Sequence, residues 1–393
     1  MPPRNFNMRF FSLILSIIYF ICANLGINYG KNDIIFAKKL FFNVECRTDI
    51  FVSPDEVWDN GAEYPTVISL SHNGTENGTL LATFEVFDKG KTCFRIMESR
   101  DKGESWKQIS TVYEMFDENL QAAWEPCLFE LPEKIGSFRE GTIILGEISL
   151  DDGCRSATKL CIFASDDCGK TWEEISVADS AGGLDEGIWE PYFVYDGGYL
   201  YCFYSDDSDE IHSQTIVYKR TSDLINWSEK VPVVVSDDPF DRPGMPIITR
   251  MGNGKYYLCY EIGGNDNYPC RYKVSDSISE WDPSDFGTEI RTKTDRELHA
   301  SPNCIWLPHG GENGILIIAA KYQNKGNEEL FISFDFGKTY SLTANPFTYS
   351  QKRGFGYSPS FFYDESDETL YYANTIDYKG DRSKVAISRI TMY

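Results

Sequence analysis

Apolar residues in this chain gather in short runs, without the three-to-four-residue spacing of a helix face, and the runs come in pairs. The first run of each pair follows a proline: "EYPTVISL" from Glu63, "WEPCLFEL" from Trp124, "WEPYFVY" from Trp189, "GMPIITRM" from Gly244, "ASPNCIWL" from Ala300 and "YSPSFFY" from Tyr357. A Gly- or Asp-rich turn leads to the second run: "GTLLATFE", "GTIILGEI", "GYLYCFYS", "GKYYLCYE", "GILIIAAK" and "ETLYYANT". The prolines, Pro65, Pro126, Pro191, Pro246, Pro302 and Pro359, recur roughly every 55 to 65 residues, a repeat-array spacing. Proline is tolerated at the first residue of a strand, where its missing N–H is not needed. Each unit therefore reads as antiparallel strands opening at proline, repeated six times.

A turn motif follows five of the six second runs. "SRDKGESW" (Ser99), "SDDCGKTW" (Ser165) and "SFDFGKTY" (Ser333) share Ser-x-Asp-x-Gly-x-Ser/Thr-aromatic, and "TSDLINW" (Thr221) and "SDSISEW" (Ser275) are looser copies. The Asp can accept backbone N–H groups across a tight turn, the Gly permits positive φ, and the aromatic packs beneath. The motif resembles the Asp-box (BNR) repeat of bacterial neuraminidases, a structural turn of β-propeller blades. Six prolines and five boxes predict an all-β, six-bladed β-propeller with four-stranded blades, one lacking the box.

The repeat also predicts which residues line the central channel. Those preceding the prolines, Tyr64, Glu125, Glu190, Met245, Ser301 and Ser358, start the innermost strands. The antiparallel second strands return to the same edge near Glu85, Glu147, Ser205, Glu261, Lys321 and Asn374. Five glutamates thus gather at one mouth, beside Trp124, Trp189 and Tyr260. Carboxyls crowded in a partly apolar mouth acquire raised, separated pKa values, as glycoside hydrolysis requires of its acid and its nucleophile or base. A Ca²⁺-binding acid ring or a solvated rim is the structural alternative.

Composition supports the β reading: aromatics make up 15% of the 393 residues, with 24 Tyr and 26 Phe. A net charge of −23 disfavours nucleic acid and anionic membranes as partners. Arg4 and Arg9 precede the apolar run Phe10–Ala23, which reads as a signal peptide over residues 1–23, an uncleaved anchor being the alternative. Secretion is expected, with a lead-in over 24–44 and one catalytic propeller over 45–393. Removing Cys22 leaves ten of 11 cysteines, an even number that permits disulfides, with Cys154, Cys161 and Cys168 close enough for a local bridge. Cys202 and Cys259 lie inside apolar strands and suit buried free thiols. Asn73, Asn77 and Asn226 begin glycosylation sequons. With only four His and no CxxC pair, no metal or cofactor is expected.

Taken together, "YPTVISL…GTLLATFE", "WEPYFVY", "DRPGMPIITRMGNGKYYLCYE", "ASPNCIW" and "RGFGYSPS" resemble the secreted exo-arabinanases of glycoside hydrolase family 93 over nearly the whole mature chain. The resemblance implies retaining hydrolysis of α-1,5-linked arabinan, releasing arabinobiose or short oligosaccharides. It carries catalysis to Glu190 and Glu261 and a supporting role to Tyr357. Glu190 is assigned as nucleophile and Glu261 as acid/base, with the reverse left open; Trp124, Trp189, Glu125, Tyr64 and Arg242 are expected to bind substrate. The chain departs from the family where Thr66 follows Pro65 in place of arginine, and where Glu125 stands for the usual glutamine. A monomer acting on a polysaccharide, needing no cofactor, is the expectation.

Two rivals remain. A sialidase needs three arginines for the sialic acid carboxylate and an early Arg-Ile-Pro; the latter is absent, and only Arg242 and Arg353 are placed to face the channel. A non-catalytic glycan- or protein-binding propeller shares the fold, which does not fix function.

Overall fold

The computed structural model describes residues 42–52, 62–88, 91–113, 120–151, 157–183, 186–264, 267–321, 328–347, 356–378 and 382–392. The expected signal segment, Cys22, Cys154 and Arg353 lie outside these residues. The chain enters as strand β1 (Phe42–Val52) and builds four-stranded antiparallel sheets in succession. The first blade is β2 (Ala62–Ser69), β3 (Leu80–Asp88), β4 (Lys91–Ser99) and β5 (Lys107–Val112). The second is β6 (Leu120–Glu130), β7 (Ile143–Asp151), β8 (Thr158–Ser165) and β9 (Glu173–Ala181). The third is β10 (Ile188–Asp196), β11 (Tyr199–Asp206), β12 (Thr215–Thr221) and β13 (Val231–Val234). The fourth is β14 (Arg242–Arg250), β15 (Tyr256–Gly263), β16 (Cys270–Ser275) and β17 (Thr288–Glu289). The fifth is β18 (His299–Leu307), β19 (Ile315–Lys321), β20 (Glu328–Ser333) and β21 (Ser341–Thr343). The last joins β22 (Ser360–Asp364), β23 (Thr369–Tyr378) and β24 (Arg382–Met392) to β1, closing a six-bladed β-propeller.

Closure explains the missing Asp-box. In five blades the box is the turn between third and fourth strands, whereas in the sixth those strands, β24 and β1, come from opposite ends of the described chain and no turn joins them. The boxes bond as their composition dictates. Asp335 accepts Ser333 Oγ–H (2.7 Å), Thr339 N–H (2.9 Å) and Thr339 Oγ1–H (2.7 Å), while Gly337 sits at φ 82°. In the loose copy of the fourth blade Ser277 takes the Asp place and donates its N–H to Ser275 Oγ (3.1 Å). Asp335→Ala is expected to lower unfolding free energy by about 1 to 3 kcal/mol, the range for hydrogen bonds to a charged group, and to leave kcat unchanged; denaturant melts with parallel assays check both.

Apolar residues pack between blades. Leu81, Phe94 and Ile96 of the first blade meet Leu128, Leu145 and Phe163 of the second, all nearly inaccessible. In β15, Tyr256 to Tyr260 are buried on both faces and Glu261 is the first residue to regain access to solvent. Sandwiching between neighbours accounts for strands without polar alternation.

Three expectations are corrected. The prolines do not begin strands: Pro65 is preceded by three residues of β2, and it occupies a bulge where Tyr64 and Pro65 together fall between the pairs Glu63↔Glu85 and Thr66↔Thr83. The bulge interrupts the ladder, so the missing N–H costs no bond. Second, Ile148 and not Glu147 faces Trp124, so Ile148 holds the edge place that Glu85 and Glu261 hold in their blades, and Glu147 is fully buried one position away from it. Asn374 is likewise fully buried and donates Nδ2–H to Glu328 Oε1 (2.6 Å) inside the sheet stack. Third, Cys168 is a free, buried thiol outside any local bridge; Cys202 and Cys259 are free and buried as expected. At the sequons, Asn73 Nδ2 donates to Glu130 Oε1 (2.7 Å), Asn77 Nδ2 to the Ser71 carbonyl (2.8 Å) and Asn226 Nδ2 to Asp223 Oδ2 (2.8 Å).

Candidate active site

Backbone conformation marks one edge of the propeller. Tyr64, Glu125, Glu190, Met245, Ser301 and Ser358, the residues before the six prolines, all have positive φ, between 46° and 63°. A non-glycine residue in this region costs about 1 to 3 kcal/mol and persists where surrounding structure enforces it. The bulges turn these side chains toward the axis. There all of them but Ser301 line one end of a channel of about 380 Å³, whose wall continues through Thr66, Cys127, Tyr192 and Ile247.

Glu190 and Glu261 come together across the third and fourth blades. Glu261 pairs directly with Gly244 across β14 and β15, and a Cβ at Gly244 would lie 3.2 Å from Glu190 Oε2. Glu190 Oε2 accepts Ser205 Oγ–H (2.7 Å) and Met245 N–H (2.6 Å). Burial raises the Glu190 pKa; the bonds from Ser205 and Met245 oppose the rise, nearby Asp207 adds to it and Arg242 counters it. Glu261 Oε2 accepts Ser301 N–H (2.6 Å). Its pKa is pushed up to about 7, by burial first and the Glu190 charge second, with Ser301 and Lys321 working against the shift.

Tyr357 stands beside both acids and its hydroxyl meets that of Tyr64 at 2.8 Å, ring edge to ring face. Burial, then the charges of Glu261 and Glu190, raise its pKa well above the ordinary tyrosine value, so the hydroxyl stays protonated. Lys321 Nζ lies 6.0 Å from the Tyr357 ring centroid. Trp124 and Trp189 stack at the mouth, centroids 6.1 Å apart and planes 29° from parallel, and both remain partly exposed. Arg242 is engaged by the protein: Nη2 donates to Asp207 Oδ2 (2.7 Å) and Gln214 Oε1 (2.6 Å), and Nη1 to the Ser213 carbonyl (3.0 Å). Asp207 Oδ2 also accepts Trp189 Nε1–H (3.0 Å), so the arginine fixes the tryptophan through the aspartate.

Sequence reasoning missed Asp207, Gln214 and Gly244. Asp207 follows the β11 run directly, but Gln214 lies in a connecting loop with no motif. Gly244 has a steric reason: a Cβ there would sit 2.4 Å from Gln214 Nε2 and 3.3 Å from Ser205 Oγ. Gly244→Ala is therefore expected to push Gln214 aside, tilt the Glu190 carboxyl and lower kcat about 10- to 100-fold with little change in KM, the scale of an ångström misplacement; steady-state kinetics checks it. Among the described residues no group of three or more His, Cys, Asp or Glu is arranged to hold a metal ion.

The ring of six four-stranded blades, and its likeness to solved arabinan-type hydrolases, make the chain a glycoside hydrolase. Within the class it is similar to family 93. An α-L-arabinanase of Penicillium chrysogenum in complex with arabinobiose superposes with TM-score 0.76 at 29% identity, covering 88% of this chain and 98% of that one. The family 93 α-L-arabinofuranosidase of Fusarium graminearum, also with arabinobiose, gives TM-score 0.77 at 26% identity over 90% and 98%. A sialidase of Streptococcus pneumoniae shares only the fold, with TM-score 0.58 at 10% identity over 86% and 70%. No protein-family profile and no curated protein sequence matches the chain.

Proposed function

We propose that the chain is a secreted, retaining exo-1,5-α-L-arabinanase that releases arabinobiose or short arabino-oligosaccharides. The observation that carries the reading is the unequal pair at one gap: Glu190 holds two hydrogen-bond donors on Oε2, and Glu261 has one donor and a pKa near 7. Donors favour the ionised form, so Glu190 suits the nucleophile and Glu261 the proton donor.

Glu190 attacks the anomeric carbon through Oε1 as Glu261 transfers its proton to the departing glycosidic oxygen, forming a glycosyl ester and freeing the shortened chain. Glu261, now ionised, takes a proton from water, whose oxygen displaces Glu190 from the anomeric carbon. Two inversions leave the configuration retained. Tyr357 is placed to donate a hydrogen bond at the reacting centre, and Trp124 and Trp189 to stack on sugar faces. Arg242, tied to Asp207, positions Trp189. Acids and tyrosines around the gap suit a neutral sugar and repel a sialic acid carboxylate.

Incubation with linear arabinan and, separately, with a chromogenic sialoside tests the reading. Arabinobiose appearing first with retained anomeric configuration by NMR supports it, and turnover of the sialoside alone rejects it. A wild type that binds arabinan without cleaving it supports the non-catalytic propeller.

A further inference from the structure

The carboxyls at the mouth are linked to backbone amides in an order that follows the ring. Glu85 Oε2, from the first blade, accepts the N–H of Glu125 in the second (3.0 Å). Glu125 Oε2 accepts the N–H of Glu190 in the third (2.5 Å). Glu190 Oε2 accepts the N–H of Met245 in the fourth (2.6 Å), and Glu261 Oε2 that of Ser301 in the fifth (2.6 Å). Each receiving residue is a bulge residue with positive φ. A buried amide must find an acceptor, and at these four steps the acceptor is a glutamate of the preceding blade. Glu190 and Glu261 have work in the reaction; Glu85 has none there, and Glu125 is expected only to touch substrate.

We infer that Glu85 and Glu125 form a positioning relay that holds the strained backbone of Glu190, and with it the reacting carboxylate, in place. The inference rests on the reading of Glu190 as the reacting carboxyl. Glu125 occupies in the second blade the position that Glu190 occupies in the third, within the same Trp-Glu-Pro triplet. The groups acting on Glu125 are Glu190, Glu85 and the Tyr64 hydroxyl, and Tyr64 in turn meets Tyr357. Glu63 acts on Glu85, while Arg242 acts on Glu190 and Lys321 on Glu261 farther round the ring. Burial and the Glu190 charge hold Glu125 well above the usual carboxylate range, and burial brings Glu85 to about 8. A second full charge beside Glu190 would disfavour its ionised form; a protonated carboxyl accepts the amide N–H without that cost.

Four variants of the full chain test the relay. Glu125→Ala is expected to lose about 100-fold in kcat on arabinan with KM within about threefold, and Glu125→Gln to recover most of it, because an amide oxygen accepts the Glu190 N–H as a neutral acid does. Glu85→Ala and Glu85→Gln follow the same order with a smaller loss, about tenfold. The acid limb of the pH–kcat profile, set by ionisation of Glu190, stays in place in Glu125→Gln. A shift of that limb to lower pH means that wild-type Glu125 carries charge beside Glu190 and overturns the relay, as do equal losses in the Ala and Gln variants.

Thermal unfolding against pH supplies a readout without substrate, and decides alongside the Glu125→Gln profile if Glu125→Ala does not fold. A carboxyl neutral in the folded state stabilises it fully below the unfolded pKa of about 4.3, and that stability is lost as pH rises through the folded value. For Glu85 the loss runs up to about 8. The wild-type Tm should therefore fall across this window, and Glu85→Gln and Glu125→Gln should flatten the fall. Parallel curves overturn the relay whatever the substrate. Flattened curves with a wild type inactive on arabinan reject the arabinanase reading and leave the neutral carboxyls standing.

Discussion

Glu190→Gln should lower kcat/KM on arabinan by roughly 10,000-fold or more, the scale of losing a covalent nucleophile. At about 1.36 kcal/mol per tenfold, this is at least about 5.4 kcal/mol of transition-state stabilisation. The amide oxygen still accepts the bonds from Ser205 and Met245, so the bulge and the Trp189 platform keep their shape. Binding of arabinobiose by calorimetry is expected to stay within about tenfold of wild type, the mark of an interaction made in the transition state and not the ground state. Chemistry separates the two carboxyl roles. In Glu190→Ala, azide can fill the space of the lost carboxylate and attack the anomeric carbon directly, giving a glycosyl azide of inverted configuration from an activated aryl arabinoside. The same product from a Glu261 variant in place of a Glu190 variant would reverse the assignment. Glu190→Gln with kcat/KM within tenfold of wild type would remove Glu190 from the chemistry.

The propeller was legible because its signal repeats. One proline followed by an apolar run carries little weight, but six at similar spacing with five Asp-box turns define a ring. Glu190 and Glu261 were legible for the same reason: counting from each proline and each strand end places them on one edge. The count failed at Glu147 and Asn374: opposite the residue before the bulge, the place of Glu85 and Glu261, the second blade has Ile148, an apolar residue its run gives no reason to single out, and Asn374 is buried in the sheet stack. Nothing in local sequence announces the bulge except the proline itself, which suits a strand start equally well. Asp207, Gln214 and Gly244 were out of reach for a different reason. Their contacts join the loop after β11 to the first residues of β14, and a contact between blades leaves no periodicity in either segment.

The bulges also tie fold to site. A positive φ before proline is unfavourable in isolation, yet it occurs in every blade. In four of the blades the bulge amide is answered by a glutamate from the blade before. The acids that look surplus to a two-carboxyl mechanism thus have a structural occupation. Burying several carboxyls at one mouth raises their pKa values, that of Glu190 against two hydrogen-bond donors and that of Glu261 to about 7.

Glu261→Ala should lower kcat on arabinan about 1,000-fold, within the range for loss of a general acid. The loss depends on the leaving group. An arabinan alkoxide needs the Glu261 proton, whereas an aryl leaving group of low pKa departs without it, so the glycosylation step on an activated aryl arabinoside is expected to change little. Deglycosylation then becomes slow, because no base activates water, and a burst of released phenol followed by a low steady rate should appear. Azide needs no base: it should raise the steady rate and give a glycosyl azide of retained configuration. The pH profile provides an independent sign. With Glu261 near 7, wild-type kcat/KM on arabinan falls as pH rises through about that value and the acid loses its proton. Removing the carboxyl removes that limb, leaving the aryl substrate flat on the alkaline side until other groups titrate. An alkaline limb unmoved in Glu261→Ala would assign the proton donor to another group, and Glu125, the remaining neutral acid in contact with Glu190, would be the next to replace.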